Sequence, residues 1–498
     1  MTIDRRKFLQ QGALLGTAFA LMGPLHALGV RATAGLPRKQ TLGYGPLVNK
    51  GDLWLPAAFN YQVLSVQGKP MSDGRLTPGI FDGMAAFPGQ AGTTILIRNH
   101  ENRELAGEMK VITTPLLEYD ETAFGGNTKL EVRREQAGID PATGQPLYAY
   151  EVVRDFAILG GTSTNCAGGI RKPHIWISCE EVVKRSSNGR RHGYIFEIDA
   201  RSEGPVAAIP VPQAGRMAHE AACERAGIIY LTEDRAISAD PLTRQGLLGS
   251  CFYRYLPEPR GLFVPLAQTS GPLQALKLRD EFHANLDAGR TVGIAYPVEW
   301  VTIDEPDHED DTDNRRDRLT TLTPTRVQAQ DKGAAFFDRL EGMWVGPGKS
   351  KIYFTATTGG AQNLGQVWEY DAGREVLTLI YESSDPTLLQ NPDNIVIAPQ
   401  TGDIFLQEDS QGEQHVRGIT RDGRIYDFAR TTTNHSEFCG GCFDPDGQTF
   451  YLNQQGGRGS EPAGPAGGGA VTYAIYGPFS ATFRKRFGRT GKNFSAGK

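Results

Sequence analysis

At 498 residues the chain has room for about three domains of ordinary size, although one β-propeller or barrel can absorb far more length as a single unit. Apolar residues at 39% and charged residues at 22% exclude a disordered chain, and a formal charge of −5 excludes the basic field that sequence-independent nucleic-acid binding requires. Sixty glycines and thirty prolines describe a chain that turns often, which favours many short strands over long helices.

The N-terminus reads as a twin-arginine export signal occupying residues 1–34. Arg5-Arg6-Lys7-Phe8-Leu9 precedes an uncharged apolar stretch from Gly12 to Gly23, and Ala32-Thr33-Ala34 offers a cleavage site. The stretch is too short to span a bilayer, and no other long apolar run follows. The expectation is a folded, soluble protein delivered by the Tat machinery to the periplasm or beyond, with no stable membrane anchor and no nucleic acid partner.

Beyond the leader, residues 35–498 carry a recurring pattern. Short β-rich runs end in acidic or amide residues: Thr94 to Glu101, Ile175 to Glu181, Ile228 to Asp234, Ile404 to Asp409 and Phe450 to Gln455, with Ile352 to Thr357 as a less polar member. Upstream of each lies a polar residue at the head of another strand, namely Asp82, Cys166, Glu220, Glu341, Asp393 and Glu437. Four strands per unit and six units predict an all-β, six-bladed β-propeller as a single domain. In that fold the first strand of each blade lines the central channel, so the six heads converge on one axial funnel. Carboxylates at such range raise one another's pKa or recruit cations, which predicts a polar, metal-binding funnel. Two stretches read as inserted loops, around 110–149 and 298–331, the latter containing a solvated charge run from Asp304 to Asp311. A glycine- and proline-rich tract from Gly456 to Gly469 reads as a hairpin tip or lip.

Six cysteines are present. Cys439 and Cys442 form a C-x-x-C, but no second pair or histidine partner completes a zinc site; buried thiols or one disulfide fit it better. No G-x-S-x-G elbow marks a serine nucleophile.

The ordered set of motifs resembles the PhoX-type alkaline phosphatases. It comprises Leu55-Pro56, Ser72-Asp73-Gly74, Asp82-Gly83-Met84, Arg98-Asn99-His100-Glu101, Asn165-Cys166-Ala167-Gly168-Gly169, Cys179-Glu180-Glu181 and His219-Glu220-Ala221. It continues with Arg339-Leu340-Glu341-Gly342, Gly365-Gln366-Val367-Trp368, Pro392-Asp393-Asn394 and Asp444-Pro445-Asp446-Gly447, covering nearly the whole mature chain. The sequence departs from the family's usual runs at 171–174, around Cys439 and Cys442, and after Gln455. The resemblance implies a propeller holding Fe3+ and Ca2+ and hydrolysing phosphate monoesters through a metal-activated oxide or hydroxide. It also implies Cys166 as the thiolate ligand to iron, with Glu181, Glu220, Glu341, Asp393 and Glu437 as metal carboxylates, and Arg339 with Glu341 as the catalytic pair facing the phosphate ester. Oxygen donors suit calcium and a thiolate suits a softer transition metal, so a mixed cluster accounts for one cysteine among many acids. His219 is either a further ligand or a hydrogen-bonded neighbour. A monomer is expected. Two other readings stand beside this one: a calcium-dependent lactonase or phosphotriesterase of the gluconolactonase/regucalcin kind, using no thiolate, and a non-catalytic propeller whose acids hold structural calcium.

Overall fold

The computed structural model describes residues 43–239, 247–261, 263–309, 324–348, 350–410, 412–432, 436–456 and 469–480. The export signal at 1–34 and most of the 456–469 tract lie outside the described residues. What is described is all-β, with one α-helix, Thr325–Asp331, among the described residues.

Six strands sit innermost: β1 (Phe81–Pro88), β2 (Asn165–Arg171), β3 (His219–Arg225), β4 (Leu340–Val345), β5 (Pro392–Ile397) and β6 (Phe438–Phe443). Each starts an antiparallel run outward. β1 is followed by Thr94–His100, Gly125–Ile139 and Pro146–Thr162, and β2 by Ile175–Glu180 and Ile195–Asp199. The runs from β3 and β4 fuse into nine strands, because Ala295–Thr302 pairs with Leu273–Leu278 on one side and Val376–Glu382 on the other. The run from β5 is extended by Leu53–Pro56 and Leu47–Asn49, and that from β6 is completed by Asn60–Val66, near the other end of the chain. Each inner strand packs against the next, and β6 returns to β1. The cycle closes, and the arrangement is propeller-like.

Strands in this setting face other sheets on both sides, so they read as continuous apolar runs instead of alternating ones. Ile175–Glu180 is buried from its second residue onward. Aromatic side chains fill the space between the β5 and β6 runs, where Phe59, Phe428, Phe479, Phe405 and Phe450 meet edge-on or tilted, Phe59 and Phe479 with ring centres 4.8 Å apart. Nearer the axis there is no room for such bulk. A Cβ on Gly342 would lie 2.6 Å from the Asp393 carbonyl oxygen, and one on Gly83 2.6 Å from Cα of Ala167, both on the neighbouring inner strand. Glycine therefore follows the heads Asp82 and Glu341, where the inner strands converge.

Polar side chains tie these junctions together. Asn99 Nδ2 donates to the Cys166 carbonyl (2.8 Å), Thr232 Oγ1 to that of Glu341 (2.7 Å), Thr355 Oγ1 to that of Asp393 (2.7 Å) and Asn453 Nδ2 to that of Asp82 (2.7 Å). Each donor comes from the second strand of one run and each acceptor is the head residue of the next. This belt fixes the head residues by their backbones.

The two stretches read as inserted loops are only partly so. Within 110–149, Gly125–Ile139 and the start of Pro146–Thr162 form a long hairpin that supplies the third and fourth strands of the first run. Most of its charged residues lie on the exposed distal half, where strands tolerate them; Lys129 on the near half is buried and paired with Glu131 at 3.0 Å. Within 298–331, the first residues continue Ala295–Thr302 and the last form the helix. Of the acidic run, residues 304–309 are described and are held through Asp307, which pairs with Arg191 at 2.8 Å and accepts from Tyr194 Oη at 2.8 Å; Asp310 and Asp311 lie outside the described residues.

Because the clash at Gly342 is with backbone and not with a movable side chain, Gly342→Ala is expected to cost about 1–3 kcal/mol or more. Gly138→Ala, on the hairpin with nothing within 4 Å, serves as the neutral control. Thermal melting of the two variants beside the parent measures the difference.

Candidate metal centre

Register aims the functional side chains. The first pair between inner and second strand is Phe81 with His100, Asn165 with Glu180, His219 with Glu233, Leu340 with Ala356, Pro392 with Glu408 and Phe438 with Gln454. In every run the pairing then shifts at a β-bulge within the next few residues, a device that re-aims side chains. The residue following that first pair on the inner strand is Asp82, Cys166, Glu220, Glu341, Asp393 or Cys439. Just past the end of the second strand stand Glu101, Glu181, Asp234, Thr357, Asp409 and Gln455.

These groups meet. Ligating atoms of Asp82, Glu101 and Cys166 lie within 4.8 Å of one another, as do those of Cys166, Glu181 and Glu220. The same spacing holds for Glu220, Glu341 and Asp393, for Asp393, Asp409 and Glu437, and for Glu437, Cys439 and Asp82. Each triad shares a member with the next, so ten residues make one closed ring. The structure thus brings together Cys166, Glu181, Glu220, Glu341, Asp393 and Glu437. One assignment is corrected: the sixth strand head is Cys439 and not Glu437, which stands two residues earlier, before the strand begins. Glu437 still reaches the ring, accepting a hydrogen bond from Gln455 Nε2 at 2.6 Å. His219 joins no cluster among the described residues; its ring Nε2 is bonded to the Gly215 carbonyl at 2.9 Å, and burial lowers its pKa to about 4.

The donor set fits cations. Both carboxyl oxygens of Glu220 and Oδ1 of Asp82 are buried without a hydrogen-bond partner, a costly arrangement for a bare anion. Burial, then neighbouring acids, pushes Asp82, Glu220 and Glu437 well above the usual carboxylate range. Asp393 rises to about 7, from burial and then Asp409. Burial and nearby Asp82 likewise raise the Cys166 thiol, whose Sγ lies 3.5 Å from Asp82 Oδ2.

Two guanidinium groups cover the ring. Arg339 pairs with Glu341 and, at 3.1 Å, with Asp234; Arg103 pairs with Glu101 and, at 3.2 Å, with Glu181. Their side chains are 30% and 32% exposed while Glu341 and Glu101 are nearly fully buried, so the arginines mark the solvent-facing mouth. Arg339 has φ +53, an uncommon conformation for a bulky residue. Behind Glu181, buried Glu180 accepts from the backbone N–H of Ser163 and Gly193 and from His192, whose other ring nitrogen faces Asp120 at 3.1 Å. This network fixes the strand end from which Glu181 projects.

Sequence reasoning did not single out Glu101, Asp409, Cys439 or Arg103 for the site. Glu101 and Asp409 had a signal, since both close the acid-ending runs that recur along the chain. Cys439 was hidden in its C-x-x-C; it and Cys442 are free thiols, Cys442 lying instead among Met84, Leu96 and Tyr451. Arg103 lies in an irregular loop and carries no periodic signal.

A propeller-like β protein with a ring of acids and thiols on its axis is the class that fold and site define. A family profile for alkaline phosphatase PhoX matches residues 42–457, and the chain belongs to that family; it is a phosphatase. Its fold is similar to that of Pseudomonas fluorescens PhoX in complex with vanadate, a transition state analogue, with a TM-score of 0.60 and 16% identity over 88% of this chain and 97% of that one. The WD40 propeller domain of Doa1 resembles it more distantly, with a TM-score of 0.35 and 8% identity over 83% of this chain and 97% of that one. No curated protein matches the sequence. Of the three readings the sequence left standing, family membership selects the phosphatase.

A carboxyl whose pKa is raised by folding stabilises the folded state at low pH, and that contribution is lost as pH rises through the folded value. The metal-free protein is therefore expected to lose thermal stability as pH climbs from about 5 to about 8, with Asp393 losing its proton near 7. Added divalent cations should abolish the decline. Melting curves across this range, with and without chelator, check both; a flat metal-free profile contradicts the assignment of protons to the ring.

Proposed function

We propose that this chain is an exported phosphomonoesterase, built as a six-bladed propeller, that uses Fe3+ and Ca2+ held by its axial ring. The observation that carries the reading is Glu220, a fully buried carboxyl group with both oxygens unpartnered, set between Cys166 and Glu341 in a closed ring of donors. Cys166, Glu181, Glu220, Glu341, Asp393 and Glu437 would hold the cations, with Asp82, Glu101 and Asp409 completing the set. When bound, such ions lower the pKa of water and neutralise charge on phosphoryl oxygens.

The protein's own groups do the rest. Arg339 stands at the mouth with its guanidinium held between Asp234 and Glu341, and a planar fork suits a phosphoryl group better than an ammonium does. Glu341 orients that fork from below. As negative charge shifts onto the phosphoryl oxygens, the fixed guanidinium stabilises it without reorganisation. The floor of the ring is buried, whereas the two arginines stand on its solvent-facing side, the side from which a phosphate ester would approach. The family and the twin-arginine motif of the sequence support action in the periplasm or outside the cell, where we propose that the protein works as a monomer.

The test is hydrolysis of p-nitrophenyl phosphate alongside elemental analysis. Activity should vanish when chelation strips the metals and return on reconstitution. Arg339→Lys should lower kcat/KM by about 10²-fold or more while metal content stays unchanged. Full activity in a protein shown to be free of metal, or in Arg339→Lys, contradicts the proposal.

A further inference from the structure

The donors are not distributed evenly around the ring. From β3 to β5 it offers only carboxylates: Glu220, Glu341, Asp393 and Asp409. From β6 through β1 to β2 two thiols, Cys439 and Cys166, join the carboxylates Glu437, Asp82, Glu101 and Glu181, so that a thiol stands on either side of buried Asp82. Cys439 is fully buried, follows the first cross-strand pair of its inner strand as Cys166 does, and has its sulfur within 4.8 Å of ligating oxygens of both Asp82 and Glu437. A second observation points into this corner. Oδ1 of Asp82, a residue 1% exposed, has no hydrogen-bond partner, whereas Oδ2 is served by Gln455 and Cys166.

We propose that Cys439, Glu437 and Asp82 form a second thiolate-containing metal subsite, so that thiophilic transition metals occupy the β6–β1–β2 arc and calcium the all-oxygen arc opposite. The inference rests on the metal-dependent reading above and deepens it. Thiolate donors select softer metals and carboxylates harder ones, and two thiolates flanking a shared aspartate distinguish two neighbouring soft positions from one. Without metal, the Cys439 thiol donates a hydrogen bond to the Phe81 carbonyl at 3.0 Å. Binding releases that proton to solvent and replaces the S–H bond with a sulfur–metal bond. Gln455, whose amide donates to Asp82, Glu101 and Glu437, stands where the second strands of four other runs carry an acid or, in one, Thr357. The corner thereby gains thiolate character without gaining another carboxylate.

The experiment uses the full chain, stripped of metal and titrated with Co2+, with thiolate-to-cobalt charge-transfer absorbance and bound-metal stoichiometry as readouts. The parent should show absorbance from two thiolates. Cys166→Ser and Cys439→Ser should each remove about half of it, and the double variant all of it, because each thiolate contributes its own band. Cys439→Ser should also bind one cobalt ion fewer. Cys442→Ser, altered in the same strand but among apolar neighbours, should retain both signals, and Cys439→Ala repeats the measurement where serine disturbs folding. Full absorbance and stoichiometry in folded Cys439→Ser, with the whole band lost in Cys166→Ser, would overturn the second subsite and leave the metal-dependent phosphatase standing. A parent protein that binds no metal in any form would remove both.

Discussion

The constraint on which the rest of this structure depends is electrostatic. Eight carboxylates and two thiols lie in steps of a few ångströms around one axis, and such a set is tolerable only if its charge is cancelled. Two means of cancellation are visible, and a third belongs to the metal-dependent reading proposed above. Protons are retained, as the raised pKa of Asp393 and its neighbours indicates. Two guanidinium groups reach down from the mouth to Glu101, Glu181, Glu341 and Asp234. For Glu220, whose raised pKa favours a retained proton in the metal-free protein and whose oxygens accept from nothing, bound cations are the proposed third means.

The scaffold meets this constraint without spending the ligands. Asn99, Thr232, Thr355 and Asn453 donate to the carbonyl groups of strand-head residues and not to their side chains. Bulges turn those side chains inward, and glycine at positions 83 and 342 lets the inner strands approach closely enough for the ring to close. Position is thus set by backbone contacts, while most coordinating atoms remain available. Preorganisation of this kind lowers what must be ordered when an ion or a substrate arrives.

Much of this was legible in the sequence because the same local problem is solved six times. A polar head beside a small residue, then a second run ending in an acid, is a pattern that survives divergence, since every run must place a donor at the axis. What was missed follows from how each signal is carried. Glu437 stood out as an acid in a list of acids, so it displaced Cys439, whose place in a C-x-x-C suggested pairing with Cys442. The hairpin of Gly125–Ile139 was read as a loop because its exposed half is rich in charge, although its near half is buried strand. Arg103 is positioned by tertiary contact alone, and one sequence cannot disclose that.

The way the ring closes has a temporal side. Asp82 belongs to the first run and Cys439 with Glu437 to the last, and the outermost strand of that last run, Asn60–Val66, comes from ahead of them all. Early and late parts of the polypeptide thus share a single ligand corner. A nascent chain still on the ribosome can fold some of its sheets but cannot present the finished cage. On the metal-dependent reading proposed above, ion capture would be an event of the completed molecule, and the place of that completion would decide which ions are on offer.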